Sequence, residues 1–434
     1  MPLYLSRYLK IYPAPDQPGS YILYSTRKGS LVRLSEAMLG AARNGTLSET
    51  DQAVLRRMEI LVDDPAAERD AMESLVKRTN SRSKKFKATV VLNLDCNLAC
   101  PYCYEGYYRG KKYMSRSVAR QVVDYIIDEQ IGLGREVKIG FYGGEPLLSI
   151  PLIREIAGPI QEAARERGVA FSFALTTNAT LLTRPVVEEL RSLGLTEAIV
   201  TLDRTREIHD RQRPFVSGKG SFEVIVANIK AVWDLITIQL GGNFSREEYR
   251  EFPLLLDHLL AEGITPDKIG LVQFAPITPK SGKTVGADGH AGCLSGSEPW
   301  VTEAAPYLRE ETMKRGFTSY KPTMAACIIE FENDLVVNYD GSLYKCPALI
   351  GWPELSIGTL TDGISDYAKS HNLDVWKNEA CLDCPYLPIC FGGCRLLTLL
   401  KNGAINDVDC RKGYYDATLE KIILQDLRYG GPIR

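Results

Sequence analysis

No cysteine falls in the first 95 residues of this 434-residue chain. No run approaches the ~20 apolar residues that a membrane span requires, so a membrane is not an expected partner. The N-terminus, MPLYLSRYLKIYPAPDQPG, lacks an apolar signal core and a cleavage site, and the expected location is cytoplasmic. Charge of one sign is also missing. Fifty-two Lys and Arg stand against 54 Asp and Glu, for a formal net charge of −2, so no global basic field points to nucleic acid. Only four histidines are present to complete a zinc site. What is there is ordinary globular material, 45% hydrophobic and 24% charged, which argues against a mostly disordered chain, a collagen or a coiled-coil rod. At ~150 residues per domain the length suggests two to three domains.

The eleven cysteines are the informative feature. Three (Cys96, Cys100, Cys103) sit within eight residues, and seven (Cys327, Cys346, Cys381, Cys384, Cys390, Cys394, Cys410) lie in one 84-residue window. An odd count in a large cytoplasmic chain argues against a disulfide framework. Short, regular spacings argue for metal or iron–sulfur ligation. The eleventh, Cys293, lies in a Gly-rich stretch with no partner nearby and reads as an isolated buried thiol.

Residues 1–80 read as a small leading module. YLKIYP, SYILYS and a short strand within RKGSLVRLS precede two helices that start at the caps Ser35 and Ser48, a winged-helix-like order. TNSRSKKFK (79–87) reads as a basic, solvated linker. Residues 86–275 alternate strands (FKATVVLNL, VKIGFY, FSFALTT, AIVTLD, ITIQLG, KIGLVQF) with amphipathic helices, which implies a parallel sheet with right-handed crossovers. Six strands are too few for a closed eight-stranded barrel, so the expected fold class is α/β, an open (βα)6 partial barrel. Chemistry in such sheets sits at the carboxyl ends of the strands. Residues 276–320 read as a connector. Residues 321–420 form a cysteine-rich domain whose one regular element is the hairpin DLVVNYDGSLYKC, turning at Asp340-Gly341. A region so poor in apolar runs needs metal to hold it together. Residues 421–434 are left as a tail.

The first cysteines follow directly on the first barrel strand, in LNLDCNLACPYCYEG, with spacing Cys-x3-Cys-x2-Cys. Three thiolates on one short loop can hold three irons of a 4Fe–4S cube and leave the fourth open for chemistry. This loop, with Tyr102 before its third cysteine, resembles the hallmark of the radical S-adenosylmethionine superfamily. FYGGEP at the end of the second strand (Gly143, Gly144, Glu145, Pro146) resembles the motif with which that family binds the methionine amino group. Glycines allow close backbone approach, and a carboxylate can pair with an ammonium. TTNAT and TLDRTREIHDRQR resemble the third- and fourth-strand motifs. By that resemblance Asn178, Thr201 and Asp203 line the cofactor's ribose side, and Arg213 pairs with the methionine carboxylate. Read alone, these four residues suit turns, caps or a surface ion pair equally well. The resemblance implies that the open iron chelates S-adenosylmethionine and that one electron splits it into methionine and a 5′-deoxyadenosyl radical.

The C-terminal pattern, Cys327-x13-Gly341-x4-Cys346 and Cys381-x2-Cys384-x5-Cys390-x3-Cys394-x15-Cys410, is similar to the SPASM domain, which holds two auxiliary 4Fe–4S clusters. By that resemblance Cys381, Cys384, Cys390 and Cys410 ligate one cluster, and Cys327, Cys346 and Cys394 the other. The total is then three clusters, the last with an open iron, a non-cysteine ligand, or the remote Cys293. An open iron there could bind a substrate thiolate and accept an electron as a carbon–sulfur bond forms.

The leading module resembles the peptide-recognition elements that bind a leader as an added strand. The whole chain resembles radical S-adenosylmethionine/SPASM peptide maturases, with an opening similar to the geopeptide-maturase branch. The expected substrate is a precursor peptide with its leader, and the expected electron source a low-potential flavodoxin or ferredoxin. A thioether cross-link is the leading product; carbon–carbon cyclophane formation, epimerisation and hydroxylation are alternatives. A sulfatase formylglycine maturase is another, disfavoured because Pro347 stands where that branch has Asp. A non-catalytic iron–sulfur carrier is disfavoured by the pairing of the three-cysteine loop with GGEP. No general base is named. Asp340, Lys345 and Glu330 near the hairpin read as turn or surface residues, while Tyr104, Glu105 and Arg109 follow the first cluster.

Overall fold

The computed structural model describes residues 3–277 and 295–430. The chain divides into two units. The larger comprises Ser83–Tyr320, Glu332–His371 and the residues from Lys421 onward; the smaller comprises the residues through Arg82, Lys321–Phe331 and Asn372–Glu420.

Alternating burial builds the larger unit. Its first six strands are β1 (Lys85–Asn93), β2 (Glu136–Gly143), β3 (Phe171–Thr177), β4 (Leu195–Thr201), β5 (Thr237–Phe244) and β6 (Leu271–Pro276). In β2, Val137, Ile139 and Phe141 are buried among the main core, while Lys138, Gly140 and Tyr142 alternate with them on the opposite face. Each neighbouring pair from β1 to β6 is parallel. The crossovers carry the helices Arg116–Tyr125, Ile150–Arg167, Arg184–Ser192, Phe222–Val232 and Phe252–Ala261. Their apolar stripes (Val122, Ile153, Ile156, Val187, Ile225, Leu256) pack on the sheet, each such side chain contributing roughly 1.5–3 kcal/mol by burial. The unit is thus α/β on a mostly parallel, open sheet, as the strand–helix alternation implies.

The sheet does not stop at six strands. The hairpin of β7 (Asp334–Val337) and β8 (Ser342–Tyr344) adds to it, and β9 (Gly358–Thr359) and β10 (Gly363–Ile364) follow, in the order β6-β5-β4-β3-β2-β1-β7-β8-β9-β10. β7 runs parallel to β1, with Asp334 opposite Lys87 and Val337 opposite Val90. The hairpin therefore joins the parallel sheet and not the cysteines around it in sequence. The reason is twofold: β1 offers an unpaired edge, and Leu335, Val337 and Leu343 enter the main core. Gly341 makes the turn at φ +87°.

The smaller unit holds an antiparallel sheet of Leu9–Pro13, Ser20–Ser25 and Leu31–Ser35. Ser35 and Ser48 cap the helices Glu36–Asn44 and Glu49–Arg57 as expected, each side chain accepting from a backbone N–H of the first turn. Two further helices follow, Pro65–Glu73 and Leu75–Arg82; the second takes residues 79–82 of the stretch 79–87 that the sequence suggests is linker, β1 takes 85–87, and only Ser83 and Lys84 lie between them. Polar and basic side chains hide that helix because Val76 is its one buried residue. Tyr8, Met72 and Val76 share a core with Trp376, Leu382, Leu387 and Phe391. The leading module and the cysteine-rich segments thus pack as one body. Too poor in apolar residues to bury a core alone, those segments borrow one. Residues 412–429, in part expected to be a tail, form one helix. Within the larger unit its end is held by Arg309, which donates to the Ile422 carbonyl, Gln425 and Asp426. Among the described residues no helix is long and apolar enough to cross a membrane.

Candidate active site

The loop after β1 carries Cys96, Cys100 and Cys103, and backbone and side-chain contacts fix its path. Leu98 pairs antiparallel with Phe215, Ala99 N–H donates to the Pro214 carbonyl at 2.8 Å, and Val216 N–H donates to the Asn97 carbonyl at 2.9 Å. Asn178, just past β3, gives Nδ2 hydrogens to Asn97 Oδ1 (2.8 Å) and the Cys96 sulfur (3.7 Å). Its Oδ1 accepts from the Thr180 N–H and hydroxyl. Both ends of that amide are then fully used inside the chain, so Asn178 orients the loop while also forming cavity wall. Arg109 donates to the carbonyls of Cys96 and Leu98.

The three cysteines line one cavity of about 260 Å³ at the carboxyl ends of the parallel strands, together with Tyr102, Tyr104, Glu105, Arg109, Tyr142, Gly143, Gly144, Thr176, Asn178, Thr201, Arg213, Asn243 and Ile277. None of the ten described cysteines is in a disulfide. Burial pushes the Cys103 thiol up to about 11 and raises Cys96 as well, so the thiolates form when a cation compensates for lost water. Among the described residues no three Cys, His, Asp or Glu side chains are set to hold a single metal ion.

Gly143 and Gly144 form the cavity wall with their backbone. A Cβ on Gly144 would lie 2.1 Å from the Asp95 carbonyl oxygen, and one on Gly143, at φ +141°, 2.3 Å from that of Asn93. Only glycine allows the two loops to approach this closely. Glu145 and Pro146 are buried and do not line the cavity. The Glu145 carboxylate, with no exposed surface, accepts from Leu147 N–H (2.9 Å), the Thr177 hydroxyl (2.8 Å) and Asn178 N–H (2.8 Å). It fastens the end of β2 to the end of β3. All three of these bonds are made within the chain, and the Gly143–Gly144 backbone is what faces the cavity.

Arg213 and Tyr102 make the opposite, polar wall. Arg213 Nη1 donates to the Tyr102 hydroxyl at 2.9 Å, and that hydroxyl donates to Asp203. Asp203 also accepts from Asn243 N–H at 2.8 Å; it is fully buried behind the wall and does not line it. Arg213 Nε is buried with no partner among the described residues. A guanidinium lining a cavity that already gathers three thiols and a glycine-backbone wall suits the carboxylate of an amino acid. The residues present therefore fit a 4Fe–4S cluster with S-adenosylmethionine. Glu105, Tyr104 and Tyr142 form a further patch: the two hydroxyls bond each other, and burial raises the Glu105 carboxyl. Tyr142, Thr176, Asn243 and Ile277 escape sequence reading because only their place at strand ends marks them.

In the smaller unit, Cys381 lies within the short helix Glu379–Leu382, capped by Asn378, and Cys384 stands two residues past its end. Cys390 ends another turn, and Phe391, Gly392 and Gly393 then run consecutively left-handed. A Cβ on Gly393 would lie 2.1 Å from the Asp409 carbonyl oxygen. This bend sets Cys394 N–H on the Asp409 carboxylate at 3.0 Å, next to Cys410. Burial raises the Cys381, Cys390 and Cys327 thiols, and nearby thiols add to it: Cys384 and Cys410 for Cys381, Cys381 for Cys390, and Cys394 for Cys327. Cys346 belongs to the larger unit, and Cys293 lies outside the described residues. The other candidates have local roles. Asp340 closes the hairpin turn onto Ser342. Lys345 donates to the Asp334 carbonyl, and burial pulls it down to about 8. Glu330 is paired with Arg395.

Residues 90–244 match the family model described as the Radical SAM superfamily. An uncharacterized protein of Methanocaldococcus jannaschii is 34% identical over 267 residues, which cover 59% of this chain and 82% of that protein. A serine-type anaerobic sulfatase-maturating enzyme of Bacteroides thetaiotaomicron is 24% identical over 343 residues, 69% of this chain and 80% of the relative. Among solved structures, anSMEcpe with bound AdoMet and Kp18Cys peptide aligns with a TM-score of 0.62 at 17% identity, covering 79% of this chain and 97% of that one. Streptococcus suis SuiB aligns with a TM-score of 0.52 at 15% identity over 93% of this chain and 98% of that one, and has also been solved with its precursor peptide SuiA. At such identities the two structures speak for the fold alone.

Proposed function

This chain belongs to the radical SAM superfamily, and on that premise we propose that it modifies a ribosomally made precursor peptide, forming a thioether between a cysteine and a carbon of another residue. Membership carries with it a 4Fe–4S cluster and S-adenosylmethionine, which together supply a 5′-deoxyadenosyl radical able to take hydrogen from an unactivated carbon. The observation that carries the reading is the cavity itself: three loop cysteines, a glycine-backbone wall and the Arg213 guanidinium meet at the strand ends.

The chain's own residues have distinct tasks. Cys96, Cys100 and Cys103 hold the cluster. The Gly143–Gly144 backbone receives the methionine amino group, and Arg213 its carboxylate, with Tyr102 and Asp203 holding the guanidinium in place. Thr201 and Asn243 face the nucleoside end. The cavity wall keeps water and stray hydrogen donors from a reactive species. Cys381, Cys384, Cys390 and Cys410 hold one auxiliary cluster. Cys327 and Cys394 serve a second, so that three clusters are present. A low-potential flavodoxin or ferredoxin supplies electrons. The leader adds as a strand to the edge at Leu31–Ser35, which pairs on one side only within its sheet. SuiB, solved with a precursor peptide, supports a peptide substrate.

Kinship with sulfatase-maturating enzymes supports a second reading, oxidation of a sulfatase Ser or Cys to formylglycine. Anaerobic reaction with the short peptide encoded beside the gene, followed by mass analysis, separates the readings. A thioether loses a pair of hydrogens and leaves no free thiol. An aldehyde trapped by hydrazide on a sulfatase-derived peptide establishes formylglycine instead and refutes the proposal.

A further inference from the structure

Arg395 and Glu330 form an ion pair inside the smaller unit, Nη2 to Oε1 at 2.7 Å, with side chains 0 and 1% exposed. Glu330 stands three residues after Cys327, and Arg395 directly follows Cys394. The pair thus joins the segments that carry these two cysteines, one residue from Cys394 and three from Cys327. The second Glu330 oxygen accepts from Asp374 N–H at 3.2 Å, and the Glu330 carbonyl accepts from Asn80 at 3.0 Å. Arg395 Nε is buried and has no partner among the described residues.

Two buried charges lose more hydration than their pairing returns, so apolar side chains of similar size would pack this place at least as stably. Fold stability therefore does not account for the pair, and its effect on the neighbouring sulfurs does. It ties the turn after Cys327 to the helix that begins after Cys394, Arg395–Asn402. It also leaves one N–H donor for an acceptor that the chain does not supply. The inorganic sulfide of an iron–sulfur cluster is such an acceptor. Positive charge and N–H donors at a cluster stabilise its reduced form, and partners one shell out from the ligands tune it.

We infer that the Arg395–Glu330 pair positions Cys327 and Cys394 and sets the reduction potential of the auxiliary cluster they hold. The inference rests on the proposed ligand role of those two cysteines and gives that site a built-in potential control. Removing Glu330's charge leaves Arg395 uncompensated and makes this cluster easier to reduce. Removing both charges takes away the donor and makes it harder to reduce.

The test is an EPR-monitored redox titration of the full-length, anaerobically reconstituted protein. Glu330→Gln, nearly isosteric, is expected to keep full iron content and raise the potential of one cluster while the others stay unchanged. Arg395→Met combined with Glu330→Met is expected to stay folded with full iron and lower that same potential. Arg395→Lys keeps charge but not the planar fork and gives a value between wild type and the double variant. Cys394→Ala must remove that cluster's signal and about four iron atoms per chain. If Cys394→Ala loses no cluster, the ligand reading falls and the inference with it. If it does, yet Glu330→Gln and the double variant leave every potential at its wild-type value, the inference alone is overturned.

Discussion

Replacing Glu145 tests whether this carboxylate is a strand fastener or a ligand group. In Glu145→Ala, two backbone N–H groups and one hydroxyl lose their acceptor in a place with no exposed surface. At ~1–3 kcal/mol per buried unsatisfied group, the loss is roughly 3–9 kcal/mol. Glu145→Gln is milder. Its remaining oxygen can keep Leu147 and Thr177, while its amide NH2 faces the Asn178 N–H across what is now a 2.8 Å contact. Two donor groups, the Asn178 N–H and the new amide, then go unsatisfied, for about 2–6 kcal/mol. Urea unfolding of the loaded protein should order the midpoints wild type, Gln, Ala. Binding of S-adenosylmethionine to the folded Gln variant should stay within about threefold of wild type, since under ~0.7 kcal/mol is at stake. An unchanged midpoint in Glu145→Ala, together with a large loss of cofactor affinity in Glu145→Gln, would refute the reasoning and return the carboxylate to the ammonium.

Gly144→Ala places a methyl 2.1 Å from the Asp95 carbonyl oxygen, so the β2 turn must move off the cysteine loop. The expected cost is ~1–3 kcal/mol with loss of 5′-deoxyadenosine formation, read by chromatography; wild-type turnover would contradict it. Tyr102→Phe strips the hydroxyl between Arg213 and Asp203, and weaker cofactor binding by calorimetry is expected, by roughly 1–3 kcal/mol. His209 is held neutral: its Nδ1 accepts from Asp203 N–H, and burial, aided by Arg213, pulls it down to about 3. Against ~6.5 in the unfolded chain, its contribution is complete above that pH and is lost as pH falls toward 3. Going from pH 7.5 to 5 should cost about 2 kcal/mol through this group, and His209→Asn should flatten that part of the urea-midpoint profile.

Features set by short stretches were legible in the sequence. The spacing of Cys96, Cys100 and Cys103, the GGEP turn, the six barrel strands and the Ser35 and Ser48 caps each depend on neighbours a few residues away. Features set by distant pairing were not. Nothing near Asp334–Val337 announces that its partner is Lys85–Asn93, and Tyr8 gives no local sign that it packs with Trp376. Glu145 reads as a ligand until Thr177 and Asn178 are seen to claim it. Arg395 reads as a helix residue until Glu330, 65 positions earlier, is found beside it.

The most direct measurement is EPR of the reduced, anaerobically reconstituted protein with and without S-adenosylmethionine, alongside Cys100→Ala. One 4Fe–4S signal should change on adding the cofactor, 5′-deoxyadenosine should appear, and both effects should vanish in the variant. A spectrum indifferent to the cofactor, or cofactor cleavage that survives in Cys100→Ala, would contradict the account.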